Sequence, residues 1–300
     1  MSWDTAPFNL YIQLPDSRFL ALFRTGNPID KPRLQKYAAK GVTTLWSSEQ
    51  ELSDAISAEL GSASSGGADP RLEMLTKLSV AVFDQLTRLG ISEESFNHAK
   101  AVGKVVRNVL EKDPKLSDAF LKFQTMQPDQ VRHSLMVSAL ATILANGMEW
   151  IKPSTIENIG LGALLHDIGK LTLPAEILNT DPGMLSPTDR KILEGHCEAG
   201  RSILSGLKTV PEEVYMIVAH HHERADGSGY PQGLKDIYIH PLARVVAIAN
   251  EIVDRYERDQ KAGRQASIKA LVEATLAASA SRFNRDVVKA LQKMLATEKF

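Results

Sequence analysis

Histidine placement is the feature of this sequence that most directly suggests chemistry. The 300-residue chain contains eight histidines. Six of them lie between positions 133 and 222, where even spacing would place only two or three. Because neutral imidazole is the commonest metal ligand among side chains, this excess suggests a metal centre. The six are His133, His166, His196, His220, His221 and His222.

The candidate ligands lie on the apolar faces of several predicted helices. His133 follows the 3.6-residue period of Met136 and Leu140, so its ring is expected to point into the core. His220 lies off the apolar stripe of its own helix and is predicted to be at the surface. The same inward placement as that of His133 is predicted on three further helices for His166, for His196, and for His221 with His222.

A metal centre competes here with a simpler interpretation. A single inward histidine is more often a core residue with one hydrogen-bond partner, and this is the alternative for each histidine taken alone. Five inward imidazoles together with Asp167 would need many partners in an apolar core. They exceed what one tetrahedral ion takes, but they fit two ions bridged by Asp167. A set of imidazoles and carboxylate suits Fe or Mn first, and Zn or Ni next, rather than Mg or Ca.

Paired ions are typical of phosphoester hydrolysis. Asp167, as the shared ligand, is therefore a candidate catalytic residue. Lys170 lies one helical turn after His166 and is the second candidate, because its ammonium could stabilise charge that grows on a phosphoryl group.

Two segments carry a resemblance to a known family. Residues 164–170, Leu-Leu-His-Asp-Ile-Gly-Lys, resemble the HD signature of the HD phosphohydrolase superfamily. Residues 221–231, His-His-Glu-Arg-Ala-Asp-Gly-Ser-Gly-Tyr-Pro, resemble the signature of its HD-GYP branch. The resemblance covers about residues 125–250. It implies a helical, metal-dependent phosphodiesterase that hydrolyses the bacterial second messenger cyclic di-GMP to pGpG or GMP.

The resemblance also implies the metal ligands. The first ion is expected at His133, His166 and Asp167, with Asn250 at the position of a late aspartate. The second ion is expected at Asp167, His196, His221 and His222. Some members of the family add a third ion through a carboxylate one turn before the first histidine, which here is Asp129. Its side chain is shorter than the usual Glu, which argues against a third ion, and a charge favoured by the helix N-terminus is the alternative.

Substrate contacts are implied as well. They are Lys170, Gly229, Tyr230, Pro231 and Arg244. The glycines of this loop permit positive φ and the proline stiffens it, so the tyrosine is expected to stand out as a rigid platform for a base or a phosphate. Glu223 and Asp226 are predicted to orient the loop or the histidine pair rather than to bind metal.

Two departures from the family pattern leave the activity open. Asn250 has no negative charge, so the first ion is expected to bind more weakly; the alternative is that Asn250 is only a polar residue at a helix flank. Asp259 stands where a phosphate-binding arginine is expected. Arg255, Arg258 or Lys261 could substitute for that arginine, and a solvated charged face is the alternative for all three.

Two other functions therefore accompany the phosphodiesterase hypothesis. One is a degenerate member that binds metal, and with it the dinucleotide or a protein partner, with little or no turnover. The other is an HD hydrolase that acts on a different phosphoester.

The chain divides into two regions that differ in composition and in predicted secondary structure, and the second of them carries these residues. Residues 1–60 predict a small α+β domain, a sensor or adaptor, and residues 61–70 a Gly/Ser-rich linker. Residues 71–300 predict a helical metal-binding domain. The fold class is therefore mainly α, an all-α HD-type bundle preceded by a small α+β domain. The helices are predicted at 32–40, 49–60, 71–89, 92–111, 129–146, 155–166, 187–205, 212–222, 242–257, 268–281 and 285–297, and the strands at 10–14, 19–23 and 42–46.

Local signals predict two of these helix starts. Ser154 with Glu157 fits a capping box, and Ser186 before Pro187 fits an N-cap followed by the first helical turn.

The composition of the chain limits the classes of molecule that it is expected to bind. Thirty-five basic against 36 acidic residues give a net charge of −1, which argues against binding to DNA. The single cysteine cannot form an internal disulfide, and we expect neither a signal peptide nor a membrane span, so the prediction is a cytoplasmic protein. The expected partners are a cyclic dinucleotide, a signalling protein bound through the Gly-Tyr-Pro loop or the N-terminal domain, and a second copy in a homodimer.

Overall fold

The computed structural model describes residues 4–6, 9–16, 18–42, 45–47, 70–112, 123, 129–264 and 267–296. The chain forms two compact units, Met1–Met74 and Leu75–Phe300. The predicted helix at 49–60 and all but the last residue of the predicted linker at 61–70 lie outside the described residues, and that last residue, Pro70, is helical.

The described residues of the smaller unit form a two-stranded antiparallel sheet and one helix. Strand β1, Leu10–Gln13, pairs with β2, Phe19–Phe23, and Trp46 adds an isolated bridge to Tyr11 where a third strand was predicted at 42–46. Helix α1, Lys31–Ala38, begins after Asp30, whose carboxylate accepts a hydrogen bond from the backbone N–H of Arg33. The prediction of strands and a helix in this region is confirmed.

The larger unit is helical, as predicted. Helix α2, Pro70–Leu89, begins five residues before the start of this unit at Leu75. Short 3₁₀ helices span Ile168–Thr172, Asp236–Tyr238 and Ala280–Arg282. Within the described residues, the other helices are α3 Glu93–Lys112, α4 Asp129–Asn146, α5 Pro153–Leu165, α6 Ala175–Leu178, α7 Pro187–Glu194, α8 His196–Ser205, α9 Glu212–His220, α10 Pro241–Lys261, α11 Ile268–Ser279 and α12 Arg285–Ala296.

Helix α4 is the centre of the larger unit. Every residue from 133 to 145 is buried, because α3, α5 and α10 pack against it on different sides. Small and hydroxyl residues let α5 approach closely, and the Ser138 hydroxyl donates to the carbonyl of Gly160 at 2.8 Å. In this way the fold brings His133 on α4 up to the C-terminal end of α5.

Two sequence predictions about helix boundaries are wrong. The helix expected at 187–205 is two helices separated by Gly195, which ends α7 and precedes His196 at the first position of α8. The capping box at Ser154 is absent, because α5 begins two residues earlier than predicted, with Pro153 after Lys152. The predicted N-cap at Ser186 is confirmed, since its hydroxyl accepts from the N–H of Asp189.

Among the described residues, the helices are all too short or too polar to cross a lipid bilayer.

Candidate metal centre

The His166-Asp167 pair lies in a tight turn between α5 and the following 3₁₀ helix. Gly169 in that helix packs directly on the start of α8: a Cβ there would lie 1.9 Å from the carbonyl oxygen of His196. Only glycine permits so close an approach. The contact brings Asp167 to within 3.3 Å of the His196 ring, measured from Oδ1 to Nε2.

Three of the rings are oriented by backbone carbonyl groups close to them in the chain. Nδ1 of His166, His196 and His221 faces the carbonyl oxygen three residues earlier, at 2.6, 2.6 and 2.8 Å. A carbonyl oxygen only accepts, so each Nδ1 carries the proton and donates it. In the neutral rings Nε2 is therefore a free lone pair.

These lone pairs lie close to one another. Nε2 of His133 lies 3.2 Å from Nε2 of His166, and Nε2 of His196 lies 3.2 Å from Nε2 of His221. Two lone pairs at that distance repel, whereas a cation between them is attracted to both. Burial and then the neighbouring histidines hold the pKa of His221 well below its ordinary value, which keeps that ring neutral.

Asp167 lies between the two pairs of rings. Its Oδ2 is 3.4 Å from Nε2 of His166 and 3.8 Å from Nε2 of His133. Its Oδ1 faces His196 and His221 and is buried without a hydrogen-bond partner among the described residues. Burial would raise the pKa of Asp167, but the neighbouring His166 and Lys170 hold it well below its usual value, so the group is an anion.

Two potential ligand sets therefore share one carboxylate. The first consists of His133, His166 and Asp167. The second consists of Asp167, His196, His221 and His222. The orphaned Oδ1 and the facing lone pairs are what divalent cations would satisfy, so these residues fit a pair of metal ions. The structure brings six of the eight predicted ligands together.

The other two predicted ligands are placed differently. Asn250 on α10 is buried, and its amide oxygen has no hydrogen-bond partner among the described residues. Asp129 begins α4 with its side chain 59% exposed and pairs with Arg132 at 2.8 Å. This placement favours the alternative of a charge at the helix N-terminus.

Sequence reasoning missed two carboxylates beside the first set. Glu257 Oε2 lies 3.2 Å from Nδ1 of His133, and Asp254 Oδ1 lies 3.9 Å from the same nitrogen. Burial would lower the pKa of His133, but these two carboxylates and Asp167 raise it. The available signal was spacing, because both residues follow Asn250 on one face of α10, one and two turns later.

Lys170 lies at the edge of the cluster. Its ammonium donates to Oδ2 of Asp167 at 2.6 Å, and its side chain is 29% exposed. Burial would lower the pKa of Lys170, but Asp167 raises it, so the ammonium keeps its charge. It therefore borders both the carboxylate and solvent.

The Gly-Tyr-Pro loop covers the second set. The Tyr230 ring stacks on His222 with centroids 4.5 Å apart, and Pro231 follows it at the surface. Glu223 accepts from the N–H groups of Gln232 and Leu234, both at 2.8 Å, so it orients the loop as predicted. Gly229 is required by packing: a Cβ there would lie 2.4 Å from the backbone nitrogen of Arg224 and 2.5 Å from Cα of Glu223.

Some residues have contacts that the sequence did not indicate. Arg244 donates to the carbonyl of Ile239 at 2.9 Å and pairs with Asp236 at 3.8 Å, so it also holds the turn before α10. The prediction that His220 is exposed is wrong. It is buried, because the segment leading into α10 covers it and the N–H of His240 points to its Nδ1 at 3.4 Å.

The contacts of two charged residues near the end of α10 show whether they could bind a phosphate. Asp259 forms an ion pair with Arg264 at 2.5 Å. Arg258 is 64% exposed and lies 3.7 Å from Glu251, which agrees with a solvated charged face.

Comparison with known proteins supports this interpretation. A family model described as HD domain matches residues 82–287. The chain is 32% identical over 174 residues to cyclic di-GMP phosphodiesterase PA4108 of Pseudomonas aeruginosa, covering 58% of this chain and 41% of that protein. It is 36% identical over 122 residues to 3'3'-cGAMP-specific phosphodiesterase 1 of Vibrio cholerae, covering 40% of this chain and 27% of that protein. The chain thus spans less than half the length of these relatives.

A solved structure shows the same fold. Bd1817, a HDG"Y"P protein from Bdellovibrio bacteriovorus, matches with a TM-score of 0.66 and 20% identity over 97% of this chain and 95% of that one. The family model covers more than half of the chain, and both signature segments lie within it. The chain therefore belongs to the HD domain family.

Proposed function

We propose that this chain is a metal-dependent cyclic dinucleotide phosphodiesterase that hydrolyses cyclic di-GMP to pGpG or GMP at a bridged two-metal site. The observation that carries the proposal is Asp167, whose two oxygens face two separate groups of histidine lone pairs. The names of the relatives, which include both cyclic di-GMP and 3'3'-cGAMP phosphodiesterases, support the substrate class.

The proposed roles follow from the contacts. Two divalent ions, Fe or Mn by ligand type, supply Lewis acidity and activate water when they are bound. The carbonyl-bound Nδ1 groups hold the rings with their lone pairs inward, and Asp167 spans both sets. Lys170 exchanges its contact with Asp167 for a phosphate oxygen of the substrate, which stabilises the charge that grows there.

The loop residues are proposed to position the dinucleotide. Tyr230 is fixed by its stack on His222, so its edge and hydroxyl stand at a set place beside the second ligand set. Gly229 and Pro231 shape the loop around it. Arg244 is proposed to contact a phosphate in addition to holding the turn at Asp236.

A degenerate, metal-binding protein is the second candidate, and Asn250 and Asp259 favour it. Asn250 gives the first set an amide where a charge is expected. Asp259 has an ion-pair partner in Arg264 and offers no positive charge to a phosphate. A signalling partner and a homodimer stay predictions from the sequence.

Turnover separates these candidates. The purified chain, loaded without oxygen with Fe²⁺ or Mn²⁺, is incubated with cyclic di-GMP or 3'3'-cGAMP, and the products are resolved by chromatography. Formation of pGpG or GMP supports the proposal. An inactive wild type that gains activity with Asn250→Asp establishes the degenerate alternative. Metal-loaded wild type and Asn250→Asp that both leave the two dinucleotides intact contradict the proposed activity.

A further inference from the structure

His133 is held differently from the other rings. The outer nitrogens of His166, His196 and His221 face neutral backbone carbonyl oxygens three residues earlier in the chain. The outer nitrogen of His133 faces the carboxylate of Glu257, which comes from α10 and lies 124 residues further along the chain. This contact joins the first ligand set to a helix that also carries Asn250.

Glu257 is fixed on its other side. Its Oε1 lies 3.4 Å from the guanidinium of Arg132, whose side chain is 13% exposed, while that of Glu257 is 17% exposed. The Glu257 carboxylate is therefore held between a guanidinium and an imidazole.

The proton on His133 follows from these surroundings. Nδ1 faces two carboxylates, Glu257 at 3.2 Å and Asp254 at 3.9 Å, so a lone pair on Nδ1 would be repelled. The proton therefore belongs on Nδ1 and the lone pair on Nε2, which points at His166. A carboxylate behind a metal-binding histidine orients the ring and makes it a stronger ligand.

We propose that Glu257 is a positioning residue for the first metal ion, acting through His133. It supplies, from behind the ring, negative charge to a ligand set that has the neutral amide of Asn250 where an acid is expected. This inference rests on the metal centre of the proposed function. It assigns a role to a residue outside both signature segments, and Arg132 supports that role by holding the carboxylate in place.

One arrangement competes with this one. His133, Asp254 and Glu257 also form a group of three potential ligands, in which His133 would bind an ion through Nδ1. A neutral imidazole has one lone pair, so the same ring cannot serve both ions. The approach of Nε2 to His166 assigns that lone pair to the first set.

The test counts and titrates metal rather than measuring activity. The full chain is stripped of metal, Mn²⁺ is added, and free Mn²⁺ is measured by electron paramagnetic resonance. The variants are Glu257→Gln, which keeps the shape and removes the charge, Glu257→Asp, Asp254→Asn, and Glu273→Gln as a matched control at an exposed position of α11. Circular dichroism verifies that each variant is folded.

We expect the wild type and Glu273→Gln each to bind two ions. The affinity for each ion should be the same in the two proteins. Glu257→Gln should weaken one of the two ions by about 10–100-fold and leave the other unchanged. Glu257→Asp should recover part of the loss, because the charge is retained. Asp254→Asn should have a smaller effect, because that carboxylate is farther from the ring and 42% exposed.

Three results would overturn the inference. If Glu257→Gln binds both ions as the wild type does, Glu257 has no such role, although the metal centre stands. If Asp254→Asn loses an ion that Glu257→Gln retains, Asp254 is a direct ligand and takes the place of Asn250. If the wild type binds no ion, the metal centre and this inference fail together.

Discussion

At the scale of single residues, the metal centre depends on which imidazole nitrogens and carboxylate oxygens carry no proton. The rings of His166, His196 and His221 each donate from Nδ1, which leaves Nε2 as a ligand, and Asp167 is anionic although it is 4% exposed. Helical spacing predicted that these histidines point into the core, and the structure brings their rings close to Asp167. Spacing places Glu257 on the same face of α10 as Asn250, but it does not show the contact with His133, because that contact depends on how α10 crosses α4.

Asp167→Ala is predicted to abolish binding of both ions, because its two oxygens face both ligand sets. The measurement is metal content per chain by elemental analysis, beside His196→Ala, which should lose only the second ion. Retention of both ions by Asp167→Ala would exclude a bridging carboxylate.

Acidification is predicted to destabilise the metal-free protein. Burial lowers the pKa of His221 and His222 well below 6.5 in the folded state, so the unfolded chain binds more protons below that pH. His133 acts in the opposite direction, because its raised pKa contributes stability that is lost as the pH rises above 6.5. The pKa is lowered in four histidines, His220, His221, His222 and His240, and raised in His133, so stability should fall from about pH 7 to about pH 5.

Urea unfolding of chelator-treated protein measures this pH dependence. His222→Gln should flatten it, because one of the two strongly shifted groups is removed. Stability that rises on acidification would contradict the assignment of these rings as neutral.

At the scale of elements, close backbone contacts set the geometry. Gly169 holds the turn after α5 on the start of α8, and Gly229 holds the Gly-Tyr-Pro loop on Glu223 and Arg224. The helices themselves were predictable from the 3.6-residue period. The break at Gly195 was not, because the apolar pattern runs through it, and the break places His196 at the first turn of α8.

Gly169→Ala is predicted to destabilise the protein by roughly 1–3 kcal/mol or more and to weaken the second ion, because the new methyl group would force Asp167 and His196 apart. Gly206→Ala is the matched control, since it lies at the end of α8 with φ −72° and the nearest atom to its Cβ would be 3.6 Å away. Thermal unfolding and metal titration measure the two effects. Equal behaviour of the two variants would contradict a tight contact at Gly169.

Glu223→Gln is predicted to loosen the loop, because a buried carboxylate that accepts two backbone N–H groups loses one acceptor. The expected cost is about 1–3 kcal/mol, borne mainly by the loop. Isothermal titration calorimetry should show weaker binding of cyclic di-GMP with unchanged metal content. Loss of metal instead would indicate that Glu223 supports the histidines directly.

At the scale of the whole molecule, the ligands come from separate elements between positions 133 and 222, so an ion links parts of the chain that the fold alone must otherwise hold. The mainly helical class and the small N-terminal sheet were predictable from composition and periodicity. The burial of His220 was not, because it depends on the segment that precedes α10 and packs over it.

Metal binding is therefore predicted to raise the melting temperature. A metal ion whose free concentration is about 100 times its dissociation constant raises the free energy of unfolding by about 2.7 kcal/mol. Differential scanning calorimetry with and without a chelator measures the shift, and Asp167→Ala should show none. An equal shift in Asp167→Ala would place the stabilising ion elsewhere.

The short backbone contacts of the ring nitrogens have a consequence for assembly. Each of three imidazoles takes its direction from a carbonyl only three residues earlier, so its aim is set as soon as one turn of backbone forms. An arriving ion meets these rings already oriented and loses little entropy in ordering them. His133 instead is oriented by Glu257, which lies 124 residues further along the chain. Its ring therefore takes its orientation only after α10 has packed against α4.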